Sequence, residues 1–182
     1  MSRFEICLAG HGGQGMVLAG KILGEALALY SDKNVVQTQS YGPESRGGAS
    51  RAEIVISDEP IYYPKVTKLD LLLALSQESV NKYAANLKEN GILIIDPFGV
   101  KDLPTGKLKI YSVPIMQISK DELGKVVFGN IIALGAIATL TNIIAPESLE
   151  KSVLANVPAK FKDDNKKAFA IGLRLGQSTR KQ

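Results

Sequence analysis

Six residues near the start of the chain have the types and spacing of a phosphate-binding turn: Gly10-His11-Gly12-Gly13-Gln14-Gly15. They follow an apolar run at residues 4–9 and precede a helical pattern that begins near Met16. A strand, a glycine turn and a helix in this order present backbone N–H groups and a positive helix end to an anion. Glycine permits a positive φ and lets the backbone approach a pyrophosphate closely. The G-x-G-x-x-G spacing therefore suggests a dinucleotide site as the first hypothesis.

A second glycine-rich stretch, Tyr41-Gly42-Pro43-Glu44-Ser45-Arg46-Gly47-Gly48, follows the second predicted strand. Arg46 could pair with a phosphate or carboxylate while its glycine neighbours let the backbone come close. The alternative is a surface ion pair between Arg46 and Glu44 or Glu53. Because the first two strands are predicted to be parallel, we expect both glycine stretches at the carboxyl edge of one sheet. The candidate binding residues are Gly10, Gly12, Gly13, Gln14, Gly15, Tyr41, Glu44, Ser45, Arg46, Gly47 and Gly48.

The dinucleotide pattern is incomplete, because no acid stands at the end of the second strand to hold ribose hydroxyls. Asp32 precedes that strand and belongs to the opposite edge. No Lys-Ser/Thr pair follows the glycines, which excludes a nucleoside triphosphate loop. His11 is the only histidine and is interpreted as a turn residue rather than a base. Asp96 is interpreted as a strand-end turn residue, so we predict no catalytic residue and no metal ligand in this chain.

The elements that position these stretches alternate between strands and helices. Strands are predicted at residues 3–9, 35–40, 51–57, 69–75, 92–95 and 107–113, with a short extension at 61–63. Helices are predicted at residues 15–30, 77–89, 119–123, 130–142, from 146, and 164–175, with Gly91 ending the second and the tail after Gly176 loose. The pattern indicates a single α/β domain over residues 1–182, a three-layer Rossmann-like fold. Its sheet is mostly parallel, with the third strand as an antiparallel edge strand and helices at the C-terminus.

Composition is ordinary for a soluble globular protein: 182 residues, 45% apolar, 22% charged and a net charge of +4. The charge is too small to indicate nucleic acid binding. The single cysteine, Cys7, lies in an apolar run and is predicted to be buried and inert, which fits a reducing, cytoplasmic setting. Residues 131–145 are too short and too polar for a membrane span. The basic run around Lys160–Lys167 is interpreted as a solvated face, with partner docking as the alternative.

Taken together, the two glycine stretches resemble the gamma subunit of the 2-oxoacid:ferredoxin oxidoreductases, a family that includes pyruvate and 2-ketoisovalerate enzymes. The Tyr-Gly-Pro-Glu form of the second stretch resembles most the 2-oxoglutarate type. Residues 61–64, the strand at 70–72 and Asp96 also match the family pattern, and the likeness extends over residues 4–176. Two signatures at this separation are far more specific than one glycine motif.

The resemblance implies a complex that oxidatively decarboxylates a 2-oxoacid, forms an acyl-CoA and reduces ferredoxin. Thiamine diphosphate with Mg²⁺ would sit on alpha and beta subunits, and [4Fe–4S] clusters on the beta or a delta subunit. This chain would pack against them and lend its glycine loops to coenzyme A or to closing the active site, and would be inactive alone. We also expect the isolated chain to expose an apolar patch near the helices from Asn130 and to dimerise or aggregate.

The residues leave three other hypotheses open. One is a stand-alone NAD(P) or flavin oxidoreductase, which the glycine spacing favours and the missing acid disfavours. Another is a regulatory module that binds a free nucleotide. The third is a scaffold whose glycine loops only make tight contacts with other subunits.

Overall fold

The computed structural model describes residues 3–41 and 49–181, with only the backbone of Tyr41 and Ala49 at the gap. Within these ranges the chain forms six β-strands and six α-helices, joined by short 3₁₀ turns at Ala84–Asn86, Val126–Phe128 and Ala159–Phe161. The strands are β1 (Phe4–His11), β2 (Asn34–Tyr41), β3 (Ala49–Ser57), β4 (Leu69–Ala74), β5 (Leu87–Ile95) and β6 (Lys109–Ser112). The helices are α1 (Met16–Tyr30), α2 (Gln77–Tyr83), α3 (Ile115–Leu123), α4 (Gly129–Thr141), α5 (Pro146–Asn156) and α6 (Lys162–Arg180).

The strands form one mixed sheet in the order β2-β3-β1-β4-β5-β6. Strands β1, β4, β5 and β6 pair in parallel, whereas β3 pairs antiparallel with both β1 and β2. The mostly parallel α/β fold is therefore confirmed. The expectation that β3 is the edge strand was wrong, because β3 lies between β1 and β2 and the edge is β2. Strands β1 and β2 run in the same direction, as predicted, but are not neighbours.

The polar residues of β3 explain that error, because they are not on an open edge. Arg51 pairs with Glu53 at 3.4 Å, and its guanidinium lies 5.2 Å from the centre of the Tyr83 ring in α2. The polar side of β3 is thus partly covered by a helix. An alternation of polar and apolar residues in the sequence does not show whether the polar side of a strand faces a helix or solvent.

Two layers of helices cover the sheet, as the three-layer prediction requires. Ile6 and Leu8 of β1 belong to the larger core, which contains buried residues of α1, α4, α5 and α6. Cys7 and Ala9 belong to the smaller core on the opposite face, together with Val80 and other residues of α2. Cys7 is buried, as predicted, and burial raises the pKa of its thiol to about 12.

Helices α4 and α6 cross in backbone contact at a pair of glycines. A Cβ atom at Gly172 would lie 2.1 Å from the carbonyl oxygen of Ile132, and one at Gly135 would lie 2.4 Å from that of Phe169. Helix α4 is apolar on nearly all sides and is buried almost throughout. Helix α6 continues to Arg180, so the prediction of a loose tail after Gly176 was wrong.

Three further expectations need correction. The helix predicted over 77–89 ends at Tyr83, because Leu87 already pairs with Leu69 as the start of β5. Gly91 therefore lies inside a strand and does not end a helix. Residues 61–63 form no strand, although the Tyr63 carbonyl accepts a hydrogen bond from Arg3 at 3.0 Å. No helix among the described residues is long and apolar enough to cross a membrane.

Candidate functional site at the carboxyl edge

The first glycine stretch forms a tight turn between β1 and α1. The Gln14 amide donates to the His11 carbonyl at 3.1 Å, and the His11 amide donates to Gln14 Oε1 at 2.7 Å. Gly13 and Gly15 adopt φ values of 92° and 73°, in the region that favours glycine. The structure thus brings the five candidate residues of this stretch together at the carboxyl end of β1.

Gly10 and Gln14 determine the conformation of the turn through their mutual contact. The side-chain oxygen of Gln14 occupies the place where a Cβ at residue 10 would lie, at 2.4 Å. Gly10 therefore leaves room for the Gln14 amide group, which in turn accepts the hydrogen bond from His11. The sequence indicated the glycine spacing but not the hydrogen bond between the His11 amide and the Gln14 side chain, because that bond depends on the side-chain conformation of Gln14.

The outer side of the turn offers hydrogen-bond donors. Gly12 and Gly13 are exposed, and among the described residues no group accepts a hydrogen bond from their amides. Helix α1 begins directly behind them with neither a side-chain cap nor an acidic residue in its first turn. Amides that have no acceptor among the described residues, next to a positive helix end without a side-chain cap, suit an anion such as a phosphate.

A buried amide that the sequence analysis missed lies beneath the turn. Asn130, at the start of α4, is 6% exposed, and its Nδ2 lies 3.5 Å from the Gly15 carbonyl oxygen. A Cβ at residue 15 would meet that nitrogen at 2.5 Å. Gly15 is therefore required both by its positive φ and by the space that Asn130 fills. An asparagine at a helix start is usually a cap, so no sequence signal linked it to a turn 115 residues earlier.

The second glycine stretch falls mostly outside the described residues, which include only the backbone of Tyr41. Glu44, Ser45, Arg46, Gly47 and Gly48 lie in the undescribed segment. The ends of that segment are fixed, because Tyr41 pairs with Ser50, and Ala49 pairs with His11. Ala49 therefore lies beside the last residue of β1, whereas Tyr41 lies one strand further out, beside β3, at the same edge of the sheet. Contact between residues 44–48 and the glycine turn remains a prediction.

Few titratable groups accompany the turn. His11 is exposed, and its Nδ1 lies 3.9 Å from Glu78 Oε2, with both side chains about half exposed. In the part of the chain that the structure describes, no group of three or more His, Cys, Asp or Glu residues could hold a metal ion. The described part of this edge can donate hydrogen bonds to an anion, but it gathers no set of groups for covalent chemistry.

Asp96 directly follows β5 and is completely buried. Its Oδ1 accepts the Phe98 amide at 2.8 Å, and its Oδ2 accepts the Met116 amide at 2.7 Å, at the start of α3. Burial raises the pKa of this carboxyl even though both oxygens accept hydrogen bonds. These contacts fit the interpretation as a strand-end turn residue, since the carboxylate ties two segments together.

Exposed apolar side chains occur in two segments, one just after β5 and one just before α4. Phe98 is 68% exposed, and Val126 and Val127, just before α4, are 51% and 60% exposed. Helix α4 itself does not supply the expected apolar patch, because it is buried. The apolar surface closest in sequence to Asn130 is instead the pair of valines that precedes it.

Comparisons with known proteins give the family. Residues 5–175 match the pyruvate ferredoxin/flavodoxin oxidoreductase family. The chain is 46% identical over 177 residues to 2-oxoglutarate synthase subunit KorC of Methanocaldococcus jannaschii, covering 96% of this chain and 95% of that subunit. The solved keto/oxoacid ferredoxin oxidoreductase gamma subunit of Geobacter sulfurreducens has a TM-score of 0.90 at 44% identity, covering 98% of this chain and 99% of that one.

A third comparison shows the fold within a longer polypeptide. The 2-oxoglutarate:ferredoxin oxidoreductase of Magnetococcus marinus, solved with 2-oxoglutarate, coenzyme A and succinyl-CoA bound, matches with a TM-score of 0.79 at 23% identity. The match covers 100% of this chain and 31% of the M. marinus chain. At this identity the comparison shows the fold alone.

The chain therefore belongs to the pyruvate ferredoxin/flavodoxin oxidoreductase family. The resemblance to the gamma subunit of the 2-oxoacid:ferredoxin oxidoreductases is confirmed, because the relatives matched over nearly their whole length are separate subunits of such enzymes. This result removes the basis for a stand-alone NAD(P) or flavin oxidoreductase, which the missing acid of β2 already disfavoured.

Proposed function

We propose that this chain is the gamma subunit of an enzyme that converts 2-oxoglutarate and coenzyme A to succinyl-CoA and CO₂ and passes the electrons to ferredoxin. Its glycine turn binds a phosphate group of coenzyme A where the chain meets the thiamine-bearing subunits. The observation that carries this proposal is that Gly12 and Gly13 are exposed, with no acceptor for their amides among the described residues, in front of the start of α1, where no side chain of the cap residue forms a hydrogen bond. The relatedness to KorC subunits supports the choice of 2-oxoglutarate.

Coenzyme A suits this site because its phosphates need fixed donors and not a catalyst. Backbone amides and a helix N-terminus supply such donors without any titratable side chain. In the predicted arrangement, Arg46 adds a cation from the neighbouring segment, and the turn holds coenzyme A while its thiol reacts elsewhere.

The redox and thiamine cofactors do not fit the described residues of this chain. Cys7 is the single cysteine and is buried in the sheet, whereas an iron–sulfur cluster is held by several cysteine thiolates. We therefore assign thiamine diphosphate, Mg²⁺ and [4Fe–4S] clusters to the alpha, beta or delta subunits. The isolated chain is inactive in this proposal.

A separate subunit of this kind must dock onto its partners. In the M. marinus enzyme a similar fold is covalently part of a longer chain, which supports a close association with a larger body. We assign that association to the carboxyl edge, where the glycine turn and the apolar residues Phe98, Val126 and Val127 are exposed.

The test is a pair of glycine variants in the reconstituted complex. Gly13→Val places a branched side chain on the outer face of the turn at a φ of 92°, and we expect the KM for coenzyme A to rise about tenfold with the KM for 2-oxoglutarate unchanged. Gly106→Val is the matched control, because Gly106 also has a positive φ and open space around it but precedes β6 at the opposite edge of the sheet. An equal effect of both variants, or turnover by the lone chain, would refute the proposal.

The regulatory nucleotide module predicts a different outcome. A free nucleotide would then bind to the isolated chain, and Gly13→Val would abolish that binding while leaving the KM for coenzyme A unchanged. Calorimetric titration of the isolated chain with adenine nucleotides distinguishes the two functions.

A further inference from the structure

The glycine turn rests on a side chain from a distant part of the chain. The Gly15 carbonyl accepts the Ala19 amide at 2.9 Å, the first hydrogen bond of α1, and also lies 3.5 Å from Asn130 Nδ2. Three atoms of the Asn130 side chain lie within 3.1 Å of the position a Cβ would take at residue 15. Asn130 thus touches the residue at which the turn becomes helix α1.

Asn130 is itself held firmly by the core. Its Oδ1 accepts the Ile131 amide at 2.9 Å, so both polar ends of the side chain are engaged. The preceding Gly129 packs against Met116, since a Cβ at residue 129 would lie 2.7 Å from the methionine sulfur. The Met116 amide in turn donates to the buried carboxylate of Asp96. A continuous set of contacts therefore links the end of β5 to the glycine turn.

We propose that Asn130 is a positioning residue for the glycine turn. The hydrogen bonds between His11 and Gln14 fix the shape of the turn, whereas the contact with Asn130 fixes its place relative to the buried helix α4. Without the amide, Gly15 faces an unfilled space and its carbonyl loses one partner, so the turn gains freedom. The consequence for coenzyme A rests on the proposed function: a loosened turn binds the same phosphate with lower affinity, while the reacting groups on the partner subunits are unchanged.

The first measurement does not depend on any function. In the isolated full-length chain, Asn130→Ala should increase amide hydrogen exchange at Gln14 and Ala19 by about tenfold, because both amides bond within or directly behind the turn. Asn165→Ala is the matched control. Asn165 is also 6% exposed in the first turn of a helix, but its Nδ2 donates to the Phe161 carbonyl, in the turn before α6. Both variants should lower thermal stability, and only the first should affect the turn.

The second measurement uses the reconstituted complex. Asn130→Ala should raise the KM for coenzyme A roughly three- to tenfold with kcat at saturating coenzyme A nearly unchanged, and Asn165→Ala should change neither. If Asn130→Ala does not fold, Asn130→Asp replaces it. This variant keeps the size and the acceptor for the Ile131 amide but puts a carboxylate oxygen where the donor faced Gly15, so faster exchange at Gln14 and Ala19 is again expected and is the measurement that decides.

The outcomes separate this inference from the proposed function. Unchanged exchange at Gln14 and Ala19 in Asn130→Ala, or an equal change in Asn165→Ala, overturns the positioning role. If Asn130→Ala speeds exchange in the turn but leaves the KM for coenzyme A unchanged, while Gly13→Val raises that KM, then Asn130 positions the turn without affecting coenzyme A binding, and that part of the proposal is overturned. If Gly13→Val leaves the KM unchanged, the proposed function fails, and the exchange measurement alone decides the role of Asn130.

Discussion

Replacing Glu5 with alanine should destabilise the fold by about 3 kcal/mol, because this buried carboxylate satisfies several donors at once. Glu5 is 2% exposed and lies in β1 near the amino edge of the sheet. Its Oε1 accepts from Arg3 Nε at 2.5 Å. Its Oε2 accepts the Thr67 and Lys68 amides at 2.5 and 2.9 Å. The carboxylate therefore ties the segment before β4 to β1.

The magnitude follows from what each substitution leaves behind. Alanine removes the acceptor of two backbone amides, at about 1 kcal/mol each, and the partner of a charged guanidinium, at about another 1 kcal/mol. The sum is held to this level because Arg3 is partly exposed and also donates to two carbonyl oxygens. Glu5→Gln retains an acceptor for the amides and should lose about 1–2 kcal/mol.

At acidic pH, the free energies of unfolding of the wild-type chain and of Glu5→Gln should become equal. Burial alone would raise the pKa of Glu5, but the hydrogen bonds from Arg3, Thr67 and Lys68 outweigh it and lower the pKa below its usual value of 4.5. A carboxyl with a lowered pKa in the folded state adds stability above its unfolded pKa. That stability is lost as the pH falls through the folded pKa. The difference in unfolding free energy should therefore shrink as the pH falls below about 4.5 and through the lowered pKa of the folded state.

Urea denaturation followed by circular dichroism at several pH values measures both effects, provided that the m-value is unchanged. Glu89→Gln is the control, because Glu89 is 67% exposed and its pairing with Lys107 should contribute less than about 1 kcal/mol. A loss of less than about 1 kcal/mol in Glu5→Ala at neutral pH would show that the carboxylate network does not stabilise the fold.

Three further predictions follow from the packing. Gly172→Ala should lower the free energy of unfolding by about 2–4 kcal/mol, because its Cβ would lie 2.1 Å from a carbonyl oxygen of α4. In the same melts the control Gly24→Ala should be nearly neutral, because its Cβ would meet only a side chain, at 3.2 Å. Cys7, 1% exposed with its pKa raised to about 12, should react with a thiol reagent only in urea, and rapid labelling of the native chain would contradict its burial. Asp96→Ala should speed hydrogen exchange at the two amides that its carboxylate accepts, and protection equal to wild type would show that the carboxylate is dispensable there.

The sequence predicted most of the fold because most elements have a clear period and clear ends. Apart from Glu5, residues 4–9 of β1 are apolar, as expected of a strand covered on both faces, and α4 is apolar on nearly all sides. The second helix was predicted too long for a physical reason. Leu87 continues the spacing of Val80 and Tyr83, yet it pairs with Leu69 across the sheet, and Asn90 turns the chain at a φ of 63°. Such pairing is tertiary, so a local period cannot reveal it.

The candidate site was predictable only in its outer part. The glycines are visible in sequence because a turn with positive φ restricts the residue type. The hydrogen bond from the His11 amide to the Gln14 side chain and the contact of Asn130 with Gly15 form only after folding brings these residues together. Neither glutamine nor asparagine is an unusual residue type at its position. The network around Glu5 was missed for the same reason, since an acid in an apolar strand is not a signal until its donors are known.

The antiparallel pairing of β2 with β3 has a consequence for how this subunit can diversify. Tyr41 and Ala49 are each held in register by a neighbouring strand, so the seven intervening positions begin and end at fixed points. The two ends of this stretch are set by backbone pairing, which does not depend on the side chains at the seven positions between them. We therefore expect sequence changes at these seven positions to leave the pairing of β2 with β3 intact.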